Sequence, residues 1–112
     1  MISKVLVANR GEIACRILRA CREAGIQTVA VCAPNDQGTL FTEMADELVV
    51  LNGDTIATTY LDQEQIIQAA LSTGSDAIHP GFGFLSERAP FARSVKQSGI
   101  IWIGPSPEAI EQ

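Results

Sequence analysis

The spacing of apolar positions changes repeatedly along the chain, and each change predicts an element. Ile2 to Ala8 is a short run rich in Val and Ile, closed by Asn9-Arg10-Gly11, and reads as a buried strand. From Glu12 to Ala24 the period becomes helical: Ile13, Ile17, Ala20 and Ala24, widened by Ala14, Leu18 and Cys21, form one stripe, and Gly25 supplies the stop. Ile26 to Cys32 is a second strand. The segment Ala33-Pro34-Asn35-Asp36-Gln37-Gly38 is turn-forming, Phe41 to Ala45 suits one helical turn, and Glu47 to Leu51 is a short third strand followed by loop from Asn52 to Tyr60. Leu61, Ile66, Ile67, Ala70 and Leu71 recur at helical spacing, with Asp62 and Glu64 near the helix start and Gly74 at its end. Asp76 to His79 is a fourth strand. Ser86 to Ser98 reads as a helix with Ser86 as N-cap and Phe91, Ala92 and Val95 inward, and Ile100 to Ile103 as a fifth strand. Gly104-Pro105-Ser106-Pro107 then leads into a further helix that has barely begun at Gln112.

Strands alternating with helices require crossover connections, and right-handed crossovers generate an open parallel sheet with helices on both faces. The predicted class is α/β, doubly wound, with five strands in the order 3-2-1-4-5. In that order the chain reverses between strands one and four, and such sheets bind ligands in the crevice at the carboxyl ends of the strands flanking the reversal. Asn9-Arg10-Gly11 and His79-Pro80-Gly81-Phe82-Gly83 are therefore predicted to face each other across it.

Composition narrows this picture. With 112 residues, 46% hydrophobic and 19% charged, the chain suits one domain with one core. The formal charge of -5 comes from thirteen acids and eight bases spread along the sequence, which argues against nucleic acid as a partner. Nowhere are there the roughly 20 apolar residues that a bilayer span needs, and the N-terminal apolar run is too short for a signal peptide. Cys15, Cys21 and Cys32 are odd in number and lack CxxC spacing, as expected of free thiols in a soluble cytoplasmic protein.

Candidate chemistry concentrates in HPGFGFLSER, residues 79–88. Glycine lets backbone approach a ligand and Pro80 stiffens the turn. Phe82 and Phe84 either stack on a flat ligand, seal the loop onto a neighbouring domain, or pack beneath the turn. His79 is either an acid or base or a hydrogen-bonded structural residue. Glu87 is accounted for by the dipole of the helix it is predicted to start. There is no GxGxxG after the first strand. The only lysines, Lys4 and Lys96, lie outside any glycine-rich loop, and no acids stand at metal spacing, so no catalytic or metal-ligating residue is assigned. Arg16, Arg19 and Glu23, at i, i+3 and i+7, read on spacing alone as a solvated helix face with weak ion pairs.

KVLVANRGEIACRILRACREAGIQTVAV, MADELVVL, DAIHPGFGFLSER and GIIWIGPSPEAI, in that order, closely resemble the N-terminal domain of biotin carboxylases over nearly the whole chain. These are the ATP-dependent parts of acetyl-CoA, propionyl-CoA, methylcrotonyl-CoA, pyruvate and urea carboxylases. The resemblance implies a Rossmann-like domain, residues 1–112, that precedes an ATP-grasp module not included in this stretch. It also implies a reaction in which ATP and bicarbonate, with Mg2+, carboxylate N1′ of carrier-bound biotin, and a fragment inactive by itself and expected to carry no bound cofactor. The implied partners are the ATP-grasp domain of the same parent chain, the biotin carboxyl carrier protein, a carboxyltransferase and a second copy of the parent.

Position by position, the resemblance places His79, Gly81, Phe82, Gly83 and Glu87 on the wall of the biotin and bicarbonate pocket. It raises Arg16, Arg19 and Glu23 from a solvated face to a dimer interface, while Asn9, Arg10 and Gly11 keep the switch-point loop that the strand order gives them. Two positions depart from the family pattern: Phe82 stands where tyrosine is usual, keeping a stacking face without the hydroxyl, and Arg88 stands where asparagine is usual. Phe41 occupies a divergent segment and receives no role. Two other readings remain beside this one, a stand-alone Rossmann-like scaffold and the equivalent domain of another ATP-grasp ligase such as a carbamoyl-phosphate synthetase.

Overall fold

Residues 2–111 are described by a computed structural model. Five parallel strands, β1 (Lys4–Val7), β2 (Gln27–Cys32), β3 (Glu47–Val50), β4 (Ala77–His79) and β5 (Ile101–Trp102), form one sheet in the order β3-β2-β1-β4-β5. The helices are α1 (Gly11–Glu23), α2 (Leu40–Met44), α3 (Gln63–Thr73), α4 (Ala89–Gln97) and α5 (Pro107–Glu111), with single 3-10 turns at Pro34–Asp36 and Phe84–Glu87. The predicted class and strand order are both observed.

Alternation along the inner strands divides the core in two. Val5 and Val7 of β1, Ala30 and Cys32 of β2 and Ala77 of β4 pack with Ala14, Cys15 and Leu18 of α1 and with Phe41. Leu6, Val29, Val31 and Ile78 point the other way, toward Ile66, Ala69 and Ala70 of α3 and Phe91, Ala92 and Val95 of α4. Leu6 stands opposite both Val29 and Ile78, so one apolar layer crosses three strands. Phe91 meets Trp102 edge to face, centroids 5.6 Å apart, and the indole Nε1 donates to the Pro105 carbonyl at 2.7 Å. Cys15 and Cys32 are buried and Cys21 half-buried, all free thiols.

Two carboxylates fasten the N-terminal rim of the sheet. Asp76, just before β4, accepts from the Ser3 hydroxyl at 2.6 Å, the Ser3 N–H at 2.8 Å and the Lys4 N–H at 2.9 Å. Asp46, just before β3, accepts from the Thr28 N–H at 2.8 Å. The Asp62 carboxylate caps α3 by accepting from the Gln65 N–H, and Gly74 ends that helix in the left-handed region.

Two local expectations are corrected. The helix after β4 starts at Ala89, not Ser86: continuing it from Ser86 would place the Pro90 ring in its interior, whereas starting at Ala89 leaves Pro90 in the first turn, where no N–H is needed. Ser86 instead closes the preceding turn, its hydroxyl donating to the Gly83 carbonyl at 2.6 Å, and Glu87 ends that turn rather than opening α4. The buried stripe of α1 is also rotated. Ala14, Cys15 and Leu18 form its centre, Ile13 and Ile17 are half-buried at its margin, and Ala20 and Ala24 are exposed. Small Ala14 and Cys15 allow close approach to the sheet, which leaves the two isoleucines to cover the flank beside the loop after β4.

Candidate functional site

The loops after β1 and β4 meet at the carboxyl ends of these neighbouring strands. The Ala8 N–H donates to the His79 carbonyl at 2.9 Å, so the sheet ladder runs to the edge of both loops. Beyond it, Asn9 is 1% exposed. Its Nδ2 donates to the Pro80 carbonyl at 2.8 Å and to the Phe82 carbonyl at 2.7 Å, while its Oδ1 accepts from the Arg10 N–H at 2.8 Å. Gly81 lies under this grip at φ +67°, and a Cβ there would stand 2.8 Å from both Asn9 Nδ2 and Ile13 Cγ2. Both the backbone angle and the space require glycine.

His79 is half-buried, and its Nδ1 accepts from the Gly81 N–H at 3.1 Å. Burial lowers its pKa below the usual 6.5, so near neutrality the ring is uncharged with its proton on Nε2. It shapes the turn through Nδ1.

The two phenylalanines behave differently. Phe84, at φ +48°, turns inward against the Tyr60 ring, centroids 5.8 Å apart. Phe82 is 77% exposed and lies on a groove of about 470 Å³ lined also by Ile13, Ile17, Ile103 and Pro105 and by His79, Gly81 and Arg16. Such a surface can receive a flat, largely apolar ring and offers it little hydrogen bonding. Among the described residues there is no group of three or more His, Cys, Asp or Glu able to hold a metal ion.

The fold brings Asn9, His79, Gly81 and Phe82 together, but not every residue singled out from the sequence joins them. Glu87 is exposed and outside the groove lining. Arg10 reaches the other way, Nε to Asp36 Oδ2 at 2.8 Å and Nη2 to Asp36 Oδ1 at 2.7 Å. Tyr60 donates its hydroxyl to the same Asp36 Oδ2 and accepts from the Ala33 N–H at 3.0 Å. The Arg10 guanidinium holds the Asp36 carboxyl below the usual carboxylate range, and burial, reinforced by Asp36, pushes the Tyr60 phenol above its own. On sequence alone Asp36 and Tyr60 read as turn and loop. The available signal is a lone tyrosine among threonines and an aspartate in a turn following a buried strand, both weak.

On α1, Arg16, Arg19 and Glu23 are all exposed. Arg16 Nε lies 4.0 Å from Glu12 Oε1, a solvent-exposed pair that contributes little to stability.

Residues 1–110 match the family described as biotin carboxylase, N-terminal domain. The chain is 56% identical over 110 residues to a biotin carboxylase of Allochromatium vinosum, covering 98% of this chain and 24% of that protein. It is 53% identical over 109 residues to the biotin-dependent acyl-coenzyme A carboxylase alpha3 subunit of Mycobacterium leprae, covering 97% of this chain and 18% of that protein. Among solved structures, it resembles the biotin carboxylase domain dimer of Hydrogenobacter thermophilus 2-oxoglutarate carboxylase, in complex with MgADP, ADP and bicarbonate. That likeness has a TM-score of 0.95 and 50% identity, covering 99% of this chain and 24% of that one. The chain thus spans about a quarter or less of the length of these relatives.

Proposed function

The chain belongs to the biotin carboxylase N-terminal domain family, and from that premise we propose that it forms one wall of the carboxylation site of a cytoplasmic biotin-dependent carboxylase. In the parent enzyme ATP activates bicarbonate, and the carboxyl group passes to N1′ of biotin on a carrier protein, from which a carboxyltransferase hands it to the acceptor. The described residues of this chain do not suit the role of holding ATP or magnesium: the sequence has no lysine-bearing phosphate loop, and among the described residues there is no carboxylate cluster. Those groups belong to an ATP-grasp domain elsewhere in the same polypeptide, and this stretch alone is catalytically silent.

What the chain does supply is shape. Phe82 presents a bare aromatic face to the bicyclic ring of biotin. Gly81 and Gly83, both at positive φ, give the loop its turns, and neutral His79 braces it without competing for a proton. Arg16, Arg19 and Glu23 face a second copy of the parent along α1, and Glu87 orients groups on the opposite wall once the parent's other domain closes. The observation that carries this reading is the exposed Phe82 ring over an apolar groove at the switch point of the sheet.

Biotin-dependent ATP hydrolysis by the full-length parent tests it. Phe82→Ala should raise the KM for biotin with the KM for ATP unchanged, while Phe82→Tyr should stay within about threefold of the native chain, since the stacking face is kept. Equal biotin KM values for Phe82 and Phe82→Ala would refute it.

A further inference from the structure

We infer that Asn9 is the positioning residue for the Phe82 face, setting affinity for biotin without touching it; this rests on the reading of Phe82 given above. The carbonyls that Asn9 grips, Pro80 and Phe82, flank Gly81 on either side. One nitrogen therefore fixes the Pro80–Gly81 and Phe82–Gly83 peptide planes, which bracket Gly81 and Phe82, and with them the direction in which the Phe82 ring leaves the backbone. Only a side chain with two N–H groups on one atom can bridge two carbonyls in this way.

Asn9 itself has no freedom to follow the loop. It succeeds Ala8, whose N–H is bonded to the His79 carbonyl, and its Oδ1 is engaged by the Arg10 N–H. Its burial keeps water from replacing either bond, and Gly81 packs against Nδ2 so closely that no Cβ fits. A loop containing two glycines at positive φ has no side chains of its own to define its path at those points, so the definition comes from across the crevice.

The test uses the full-length carboxylase carrying this sequence and the variants Asn9→Asp, Asn9→Ala, Phe82→Ala and Asn9→Asp/Phe82→Ala. Asn9→Asp keeps the shape but turns both donors into acceptors facing carbonyls; Asn9→Ala removes them without adding a charge, should the aspartate prevent folding. Free biotin and ATP are the probes, with hydrogen–deuterium exchange of the peptide spanning residues 80–88 as a second readout. Either Asn9 variant should raise the KM for biotin about tenfold, leave the KM for ATP within about twofold, and speed exchange in the loop. In the Phe82→Ala background the Asn9 substitution should add no further change in biotin KM, a non-additivity that a merely structural role would not produce. If Phe82→Ala raises the biotin KM and neither Asn9 variant does, the inference falls while the reading of Phe82 stands. If Phe82→Ala has no effect, that reading fails first and the inference with it. Additive effects of the two substitutions, or equal rises in the KM for biotin and for ATP, also overturn it.

Discussion

Arg10 and Asp36 meet side on, Nε 2.8 Å from Oδ2 and Nη2 2.7 Å from Oδ1, so two planar groups share both edges. This ties the loop after β1 to the turn after β2, and the Tyr60 hydroxyl on Oδ2 adds the segment after β3. Asp36→Ala would strand a guanidinium and a buried phenol together. The Arg10 side chain is 42% exposed and recovers some hydration, so a loss of about 2 kcal/mol is expected, less than for a fully buried pair. Urea denaturation measures it, and Arg10→Lys, which keeps the charge but loses the paired edge, should cost about half as much.

The pH dependence of stability follows from three groups whose pKa values are depressed, His79, Asp36 and Asp76. Asp36 is held below its usual 3.8 by Arg10, so its contribution is fully present above that value and is lost as pH falls through the folded-state pKa. His79 is held below 6.5 by burial, so the unfolded chain takes up a proton near that pH which the folded chain refuses, and stability again falls with falling pH. Denaturation midpoints between pH 8 and pH 3 should therefore drop in two stages. His79→Asn should flatten the upper stage. Asp36→Asn should shrink the lower one without abolishing it, because Asp76 is also held low by the Ser3 hydroxyl and the Ser3 and Lys4 N–H groups.

Glycine substitutions separate backbone strain from crowding. Gly74 sits at φ +69° with open space where a Cβ would stand, whereas Gly81 combines φ +67° with contacts at 2.8 Å. Gly74→Ala should cost about 1 kcal/mol and Gly81→Ala about 3 kcal/mol, read from thermal or urea unfolding. Similar losses at the two sites would mean that the Asn9 side chain yields to an added methyl group.

The charged face of α1 predicts an assembly effect without a stability effect. Arg19→Glu should shift the full-length parent toward monomer in sedimentation equilibrium, while leaving the unfolding free energy of the domain within about 0.5 kcal/mol, as for other exposed positions. An unchanged association constant would remove Arg19 from the interface.

Strand order and the meeting of the two loops are legible in the sequence because alternating strands and helices leave few topologies, and because Gly25 and Gly74 stop their helices at places that pattern alone marks. The Asp36–Tyr60 pairing is not legible. The two residues are separated by 24 positions and by an edge strand, and nothing in a turn sequence reveals that its aspartate will be buried. Ser86 misleads for a related reason: its hydroxyl has two backbone uses, capping a helix ahead or closing a turn behind, and Pro90 decides between them. Resemblance supplies the role proposed for Phe82, but only the folded arrangement reveals that its loop hangs from Asn9.

The Asp76 and Asp46 clamps at the rim far from the groove bear on how the chain reaches this fold. Parallel strands pair across long loops, and a slip of one residue would turn every core-facing side chain toward the wrong layer. Each carboxylate stands at the mouth of an arriving strand and takes hold of N–H groups where its neighbour begins, which a slipped alignment would not offer it. The sheet is thus keyed from one end, and its opposite end is free to be shaped by glycine, proline and an asparagine.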